Sequence, residues 1–389
     1  MTRPLRVLHC PMLVGGNSAQ LAKSERALGL DSWAVSFRRS PYGYPCDEVL
    51  WPDSMPGVMR ELGRWSLLWR ALNDFDVVHF NFGTPILATP APPGSSRKPA
   101  PLRAAHDIYR RIVGFKDLAL LRRFGKAIFV TYQGDDARQA DYCLANYTIS
   151  PAHEVGQDYY PPGSDGQKRS DIARFDRHAD GIYALNPDLL HVLPRRARFL
   201  PYGHIDLAAW QPGPRRPGNR ERLRVIHAPS HQGAKGTRHV IDAVNRLKSE
   251  GVDFDFTLIE QLSNADARKI YEEADLVVDQ LLAGWYGGLA VECMALGKPV
   301  ICYVREEDLR FVEPEMRSQL PVIRAEPGTI YHVLKDYLAS KRFRLAEIGA
   351  SGRAYVERWH DPMRIARFLR DAYVSALQNA GQRSANATS

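Results

Sequence analysis

The chain has 389 residues, 44% of them hydrophobic, with a net charge of +8; that length exceeds what one core usually organises, so two domains are expected. No run of about 18 apolar residues lacks a charge, which excludes a spanning helix, and MTRPLRVLHC enters a strand-like run with no leader pattern. Five cysteines (Cys10, Cys46, Cys143, Cys293, Cys302) without a Cys-x-x-Cys pair argue against a zinc site or a disulfide framework, so reduced thiols and a cytoplasmic, soluble or peripheral protein are expected.

LRVLHC (5–10) reads as a strand, Val14-Gly15-Gly16-Asn17 as a turn, and SAQLAKSERALG as a helix ending at Gly29. WAVSF (33–37), DVVHFNF (76–82), AIFVTYQ (127–133) and DGIYALN (180–186) are further strand candidates, with helical stretches between them. Trp65 and Trp69, with Leu68 and Leu72, have helical spacing and are expected in the core. ATPAPPGSSRKPAP (88–101) and YYPPGSDGQKRS (159–170) read as surface loops. From Arg97 to Lys126 nine Lys or Arg face two Asp, which suits either a solvated helix face or peripheral contact with an anionic membrane.

At 211–219 the composition turns to that of a linker, and the pattern restarts. LRVIHAPS (223–230), FDFTLIE (254–260), ADLVVDQL (274–281) and KPVICYV (298–304) are strands; helices are expected around 237–250, 264–274, 288–297, 328–340 and 343–377. Alternating strands and helices predict parallel sheets covered on both faces. The expected division is 1–205 and 206–360 for two α/β domains of the Rossmann type facing each other across a deep cleft. A helix over 361–378 then packs back on the first domain, and 379–389 forms a flexible tail.

Ligands of open parallel sheets sit beyond the carboxyl ends of the strands. There the second half carries Ser230-His231-Gln-Gly-Ala-Lys235-Gly, a lysine and several amides at a helix start, which suits an anion. It also carries Gly287-Gly288-Leu289, where backbone can approach a diphosphate, with Glu292 about one turn inside the helix, where a carboxylate can accept from two ribose hydroxyls. A glutamate merely favoured by a helix start is the plainer alternative. In the first half Asn81 ends a strand, and Gln133-Gly-Asp135-Asp136-Ala-Arg138 follows another; such groups suit polyol recognition. Paired Asp after a strand also serves as a helix cap. His79 and His227, within strands, are expected to be satisfied core residues.

The stretch ADLVVDQLLAGWYGGLAVECMALGKPV (274–300) resembles the retaining GT-B glycosyltransferases of family 4, whose second domain reads AD, an apolar strand, E-G-F-G, then L-E-A-M-A-x-G-x-P-V. Lys235-Gly236, the ALN and PYG segments (184–186 and 201–203) and the Gly15-Gly16 turn resemble that family too. The resemblance implies a GT-B fold and transfer of a sugar, with retention and without a metal or other cofactor, from a nucleotide-sugar (UDP- or GDP-linked) to a saccharide, lipid-linked or small-molecule acceptor. No nucleic acid partner is implied. It assigns catalysis to Lys235, Gln133 and Glu292, and donor binding to Ser230, His231, Lys235, Gly287, Gly288, Leu289 and Glu292. Gly15, Gly16, Asn81, Asp135, Asp136 and Arg138 fall to the acceptor.

Three positions depart from the family pattern: its first glutamate falls on Gly284, its arginine before the lysine on Ser230, and its first-domain histidine on Gln133. A nucleotide-sugar epimerase would need acid and base groups that these departures remove, and a Rossmann dehydrogenase would need a G-x-G-x-x-G turn that is missing. A non-catalytic homologue that binds sugar, nucleotide or a partner is the remaining competitor.

Overall fold

The computed structural model describes residues 3–52, 54–89, 100–214 and 217–388, with backbone alone for 100–103, 381 and 383–388. The apolar and β-branched runs become β1 (Arg6–Cys10), β2 (Asp31–Ser36), β3 (Glu48–Val49), β4 (Val77–Asn81), β5 (Ala127–Tyr132), β6 (Gly181–Ala184) and β7 (Arg198–Phe199), paired in the order β3-β2-β1-β4-β5-β6-β7. A second sheet contains β8 (Leu223–His227), β9 (Phe254–Leu258), β10 (Leu276–Val278), β11 (Val300–Cys302) and β12 (Ile323–Arg324), in the order β12-β11-β10-β8-β9. All pairings are parallel. Every residue of β4 and β5 is buried, as a parallel sheet covered by helices on both faces requires.

One face of the first sheet packs Leu8, Val78, Phe80 and Ile128 against Leu67, Leu118 and Phe175 of its helices. On the other face Val7, Val77 and Phe129 meet Leu21 and, from the far end of the chain, Ile365, Leu369 and Tyr373. The helix Pro362–Thr388 therefore returns to the first sheet. Tyr373 anchors it: its hydroxyl lies 2.7 Å from His79 Nδ1 and donates to Glu25 Oε1 at 3.2 Å, all three groups being buried. His79 and His227 are satisfied core residues; His227 bonds the Val278 carbonyl and Thr237 Oγ1.

Several expectations change. Trp65 and Trp69 are 41% and 63% exposed, because the helix Gly57–Asp74 turns Leu67, Leu68 and Ala71 inward instead. The expected loop 159–170 becomes helical from Ser164 (Ser164–His178). The single helix expected over 343–377 is split into Leu345–Trp359 and one beginning at Pro362, a residue that cannot continue a helix but suits its first turn. Helix continues to Thr388 where a flexible tail was expected. Most of the 88–101 segment lies outside the described residues. No helix among the described residues is long and apolar enough to cross a membrane.

Candidate functional site

The carboxyl ends of both sheets face each other across a cleft of about 410 Å³. Contacts on either side tie the two walls: Glu154 with Arg238 and His239, His191 with Asp308 at 2.8 Å, and Arg305 with the Ile149 carbonyl at 2.8 Å.

On the second-sheet wall, β8 delivers Ser230 and Lys235, and β10 delivers Asp279 and Gln280. The helix Gly288–Ala295 opens at Gly287, so the N–H groups of Gly288 and Leu289 have no acceptor within the helix. The Gly287 N–H is different: it donates to Asp279 Oδ2 at 2.6 Å. Lys235 lies against the same spot, its Nζ donating to the side-chain amide oxygen Oε1 of Gln280. Burial raises Asp279, and the Lys235 charge opposes that rise. The anion seat anticipated at 287–289 thus already holds a carboxylate of the protein at its first amide.

Glu292, in the second turn of that helix, is 2% exposed and lines the cleft. Its Oε1 accepts from Tyr44 Oη and Asn264 Nδ2, both at 2.8 Å. Burial pushes its carboxyl up to about 7, against the pull of those two donors. Tyr44 belongs to the first-sheet half, in the loop between β2 and β3, and its ring packs on Gly16, where a Cβ would lie 2.7 Å from Tyr44 Cδ1 and φ is +70°. Next to Glu292 is His204, with Nε2 at 3.7 Å. Burial lowers His204 to about 4, against a weaker pull from the Gly288 backbone, so its ring is neutral near pH 7.

On the first-sheet wall Asp135 accepts from the hydroxyls of Tyr159 and Tyr160 and from Arg138. Burial raises Asp135, but Arg138 and the two tyrosines outweigh it and hold the carboxyl below its ordinary range. Arg138 also pairs with Asp188 at 2.7 Å. The Gln133 amide lines the cleft with an unpartnered Nε2.

Solved structures with the same path of chain include a sucrose-phosphate synthase from Thermosynechococcus elongatus (TM-score 0.58, 15% identity, 97% of this chain and 100% of that one). HepE of Anabaena, solved in complex with UDP-glucose, matches at 0.58 and 13% identity over 95% and 100%. A glycosyltransferase from Rickettsia africae matches at 0.55 and 12% over 97% and 100%. The chain has the GT-B fold. No protein-family model and no curated protein sequence gives a match; at these identities the structural likeness establishes architecture alone.

Within this GT-B cleft, Gly15, Gln133, Asp135, Arg138, Ser230, Lys235, Gly287, Gly288, Leu289 and Glu292 come together as lining residues. The other four assigned residues do not line it. Asn81 is buried and donates to the His79 carbonyl of its own strand. Asp136 caps the loop by accepting from the Gln133 and Gly134 amides, and burial pushes it up to about 7. His231 caps the short turn of helix before Lys235, accepting from the Ala234 N–H at 3.2 Å. Gly16 contributes to a side pocket behind Tyr44.

At Gly284 the space for a side chain is taken: a Cβ there would lie 2.6 Å from Arg305 Nη1, and φ is +79°. Among the described residues no cluster of His, Cys, Asp or Glu could hold a metal ion. Tyr44, His204, Asn264 and Asp279 were not anticipated. His204 follows the PYG segment directly, and Asp279 ends a strand; both positions are readable signals, whereas Tyr44 is brought in from the first-sheet half and Asn264 from another helix of the second.

Proposed function

We propose that the cleft binds a nucleotide-sugar, UDP- or GDP-linked, and transfers its sugar to an acceptor hydroxyl with retention and without a metal. The observation that carries this reading is Glu292: a buried carboxylate on a helix that opens with two glycines, its hydrogen-bonding oxygen met by a hydroxyl and an amide. A ribose presents two vicinal hydroxyl donors, which would replace Tyr44 Oη and Asn264 Nδ2. Lys235 and the amides of Gly288 and Leu289 would then meet the diphosphate, whose charge grows as it leaves. His204, neutral and between Glu292 and Gly288, would hydrogen-bond the bound donor. The acceptor would take the wall with Gln133, Asp135 and Arg138, attack from the face of the leaving phosphate, and give that phosphate its proton. The fold likeness to HepE, solved with UDP-glucose, supports the donor class. The halves 1–205 and 206–360 would be the acceptor and donor domains.

Hydrogen bonds to a charged group are worth roughly 1.5–3 kcal/mol, so Glu292→Gln should weaken nucleoside diphosphate binding by about 10- to 150-fold. Titration calorimetry with UDP and GDP reads this, with 2′,3′-dideoxy nucleotides as control: wild type should bind them poorly and the variant should lose little more. Unchanged affinity for the normal nucleotide would sink the assignment of the donor site.

A second reading, a GT-B protein that binds nucleotide or sugar without turnover, is favoured by the charge balance of the cleft. Its two lining cations, Lys235 and Arg138, each face carboxylates, and Gly284 carries no acid. Tight nucleotide binding with no transfer to any acceptor and no donor hydrolysis would select it.

A further inference from the structure

The helix Gly57–Asp74 has two apolar faces, and the core uses only one. Leu67, Leu68 and Ala71 point inward, while Val58, Leu62, Trp65 and Trp69, spaced 4, 3 and 4 residues apart along one stripe, are 74%, 58%, 41% and 63% exposed. Met59 beside them is 51% exposed. The neighbouring helix Ala100–Val113 is fastened to this one by Trp65 Nε1, which donates to Tyr109 Oη at 2.9 Å. It adds a second exposed pair one turn apart, Ile108 and Ile112. Monomeric proteins rarely leave so many large apolar side chains together in water.

Cations stand on the helices that follow the stripe in the chain, alongside the acids Glu61, Asp74 and Asp107 of the two apolar helices. Arg111, Lys116 and Arg123 are exposed and make no ion pair among the described residues. Exposed tryptophans on an amphipathic helix flanked by Lys and Arg are chemically matched to the boundary between lipid head groups and acyl chains, where indole rings settle and cations meet anionic phosphates. A second copy of this chain fits less well, since like cations would be brought face to face in a molecule carrying +8.

We infer that the two helices form a docking surface for an anionic lipid bilayer, with Trp65 and Trp69 entering the interface and Arg111, Lys116 and Arg123 on the head groups. This docking is independent of the reaction proposed above, because none of these residues lines the cleft.

The full chain is sedimented with phosphatidylcholine vesicles prepared with and without phosphatidylglycerol, at low and physiological salt. Binding is expected with the anionic vesicles, weakened but retained as salt rises. Tryptophan emission should shift to the blue, a shift lost in Trp65→Phe/Trp69→Phe. Leu62→Glu/Trp69→Glu should reduce binding at least tenfold with an unchanged unfolding midpoint, both sites being exposed. Arg111→Gln and Lys116→Gln should each cost about fivefold. No binding to anionic vesicles, or full binding by the double glutamate variant, overturns the inference. So does a dimer in light scattering that the same variant abolishes, which would make the stripe an interface between copies. Vesicle binding is read without nucleotide, so its failure leaves the donor-site assignment intact, and the converse holds too.

Discussion

Burial sets the chemistry of Glu292. An unperturbed glutamate titrates near 4.5, and this one is pushed up to about 7, so between those values the folded protein holds a proton that the unfolded chain has released. The contribution of the group to stability is therefore fully present below 4.5 and lost as pH rises through 7. Glu292→Gln, which cannot ionise, should gain on wild type by the order of 3 kcal/mol between mildly acidic and mildly alkaline pH. Urea unfolding midpoints of both proteins across that range test this, and parallel curves would mean that the carboxyl is not desolvated in solution. Gly284 gives a second expectation. Its φ of +79° and the guanidinium of Arg305 at 2.6 Å from a Cβ make Gly284→Ala destabilising by about 1–3 kcal/mol; an unchanged melting temperature would show that Arg305 moves aside freely. Glu292 and Lys235 were legible in the sequence because each follows a strand end at a glycine-rich helix start. Tyr44 and Asn264 were not, since a loop tyrosine and the first residue of a helix become partners of Glu292 only when two distant stretches pack.

The loop after β10 is where an element departs from its sequence reading. Two glycines at a helix start imply free amides for a diphosphate, yet Asp279 already accepts from the first of them and faces Lys235. A carboxylate and a diphosphate brought to one lysine repel each other, so Asp279→Asn, which keeps the amide contact, should tighten nucleoside diphosphate binding by about tenfold. Lys235→Ala should move it the other way and lower kcat by more than it weakens binding, charge on the leaving phosphate being greatest in the transition state. If both substitutions shift affinity in the same direction, the two groups do not share one anion seat. Most strands were legible as β-branched runs. The pairs β3, β7 and β12 were not, because two residues at a sheet edge carry no periodicity. The tryptophan helix misled for a related reason: spacing reveals an apolar face but not whether anything covers it.

For the whole molecule, the helix Pro362–Thr388 matters as much as the two sheets. It crosses from the second half to complete the apolar face of the first, with Tyr373 bridging His79 and Glu25. Tyr373→Phe leaves both partners buried and short of a hydrogen bond, and should cost about 1–3 kcal/mol. Chemical denaturation of the variant measures this; a loss indistinguishable from zero would mean that the helix is held by its apolar contacts alone. The restart of the strand pattern after 219 made two α/β halves legible, whereas nothing in the spacing of the last helix told its length. The same crossing orders events during synthesis. The ribosome completes β7 at Phe199 roughly 165 residues before it reaches Ile365, about 10–30 s of translation. Through that interval Val7, Val77 and Phe129 await their cover, so the half made first is the half finished last, and a nascent-chain chaperone has its longest opportunity at that face.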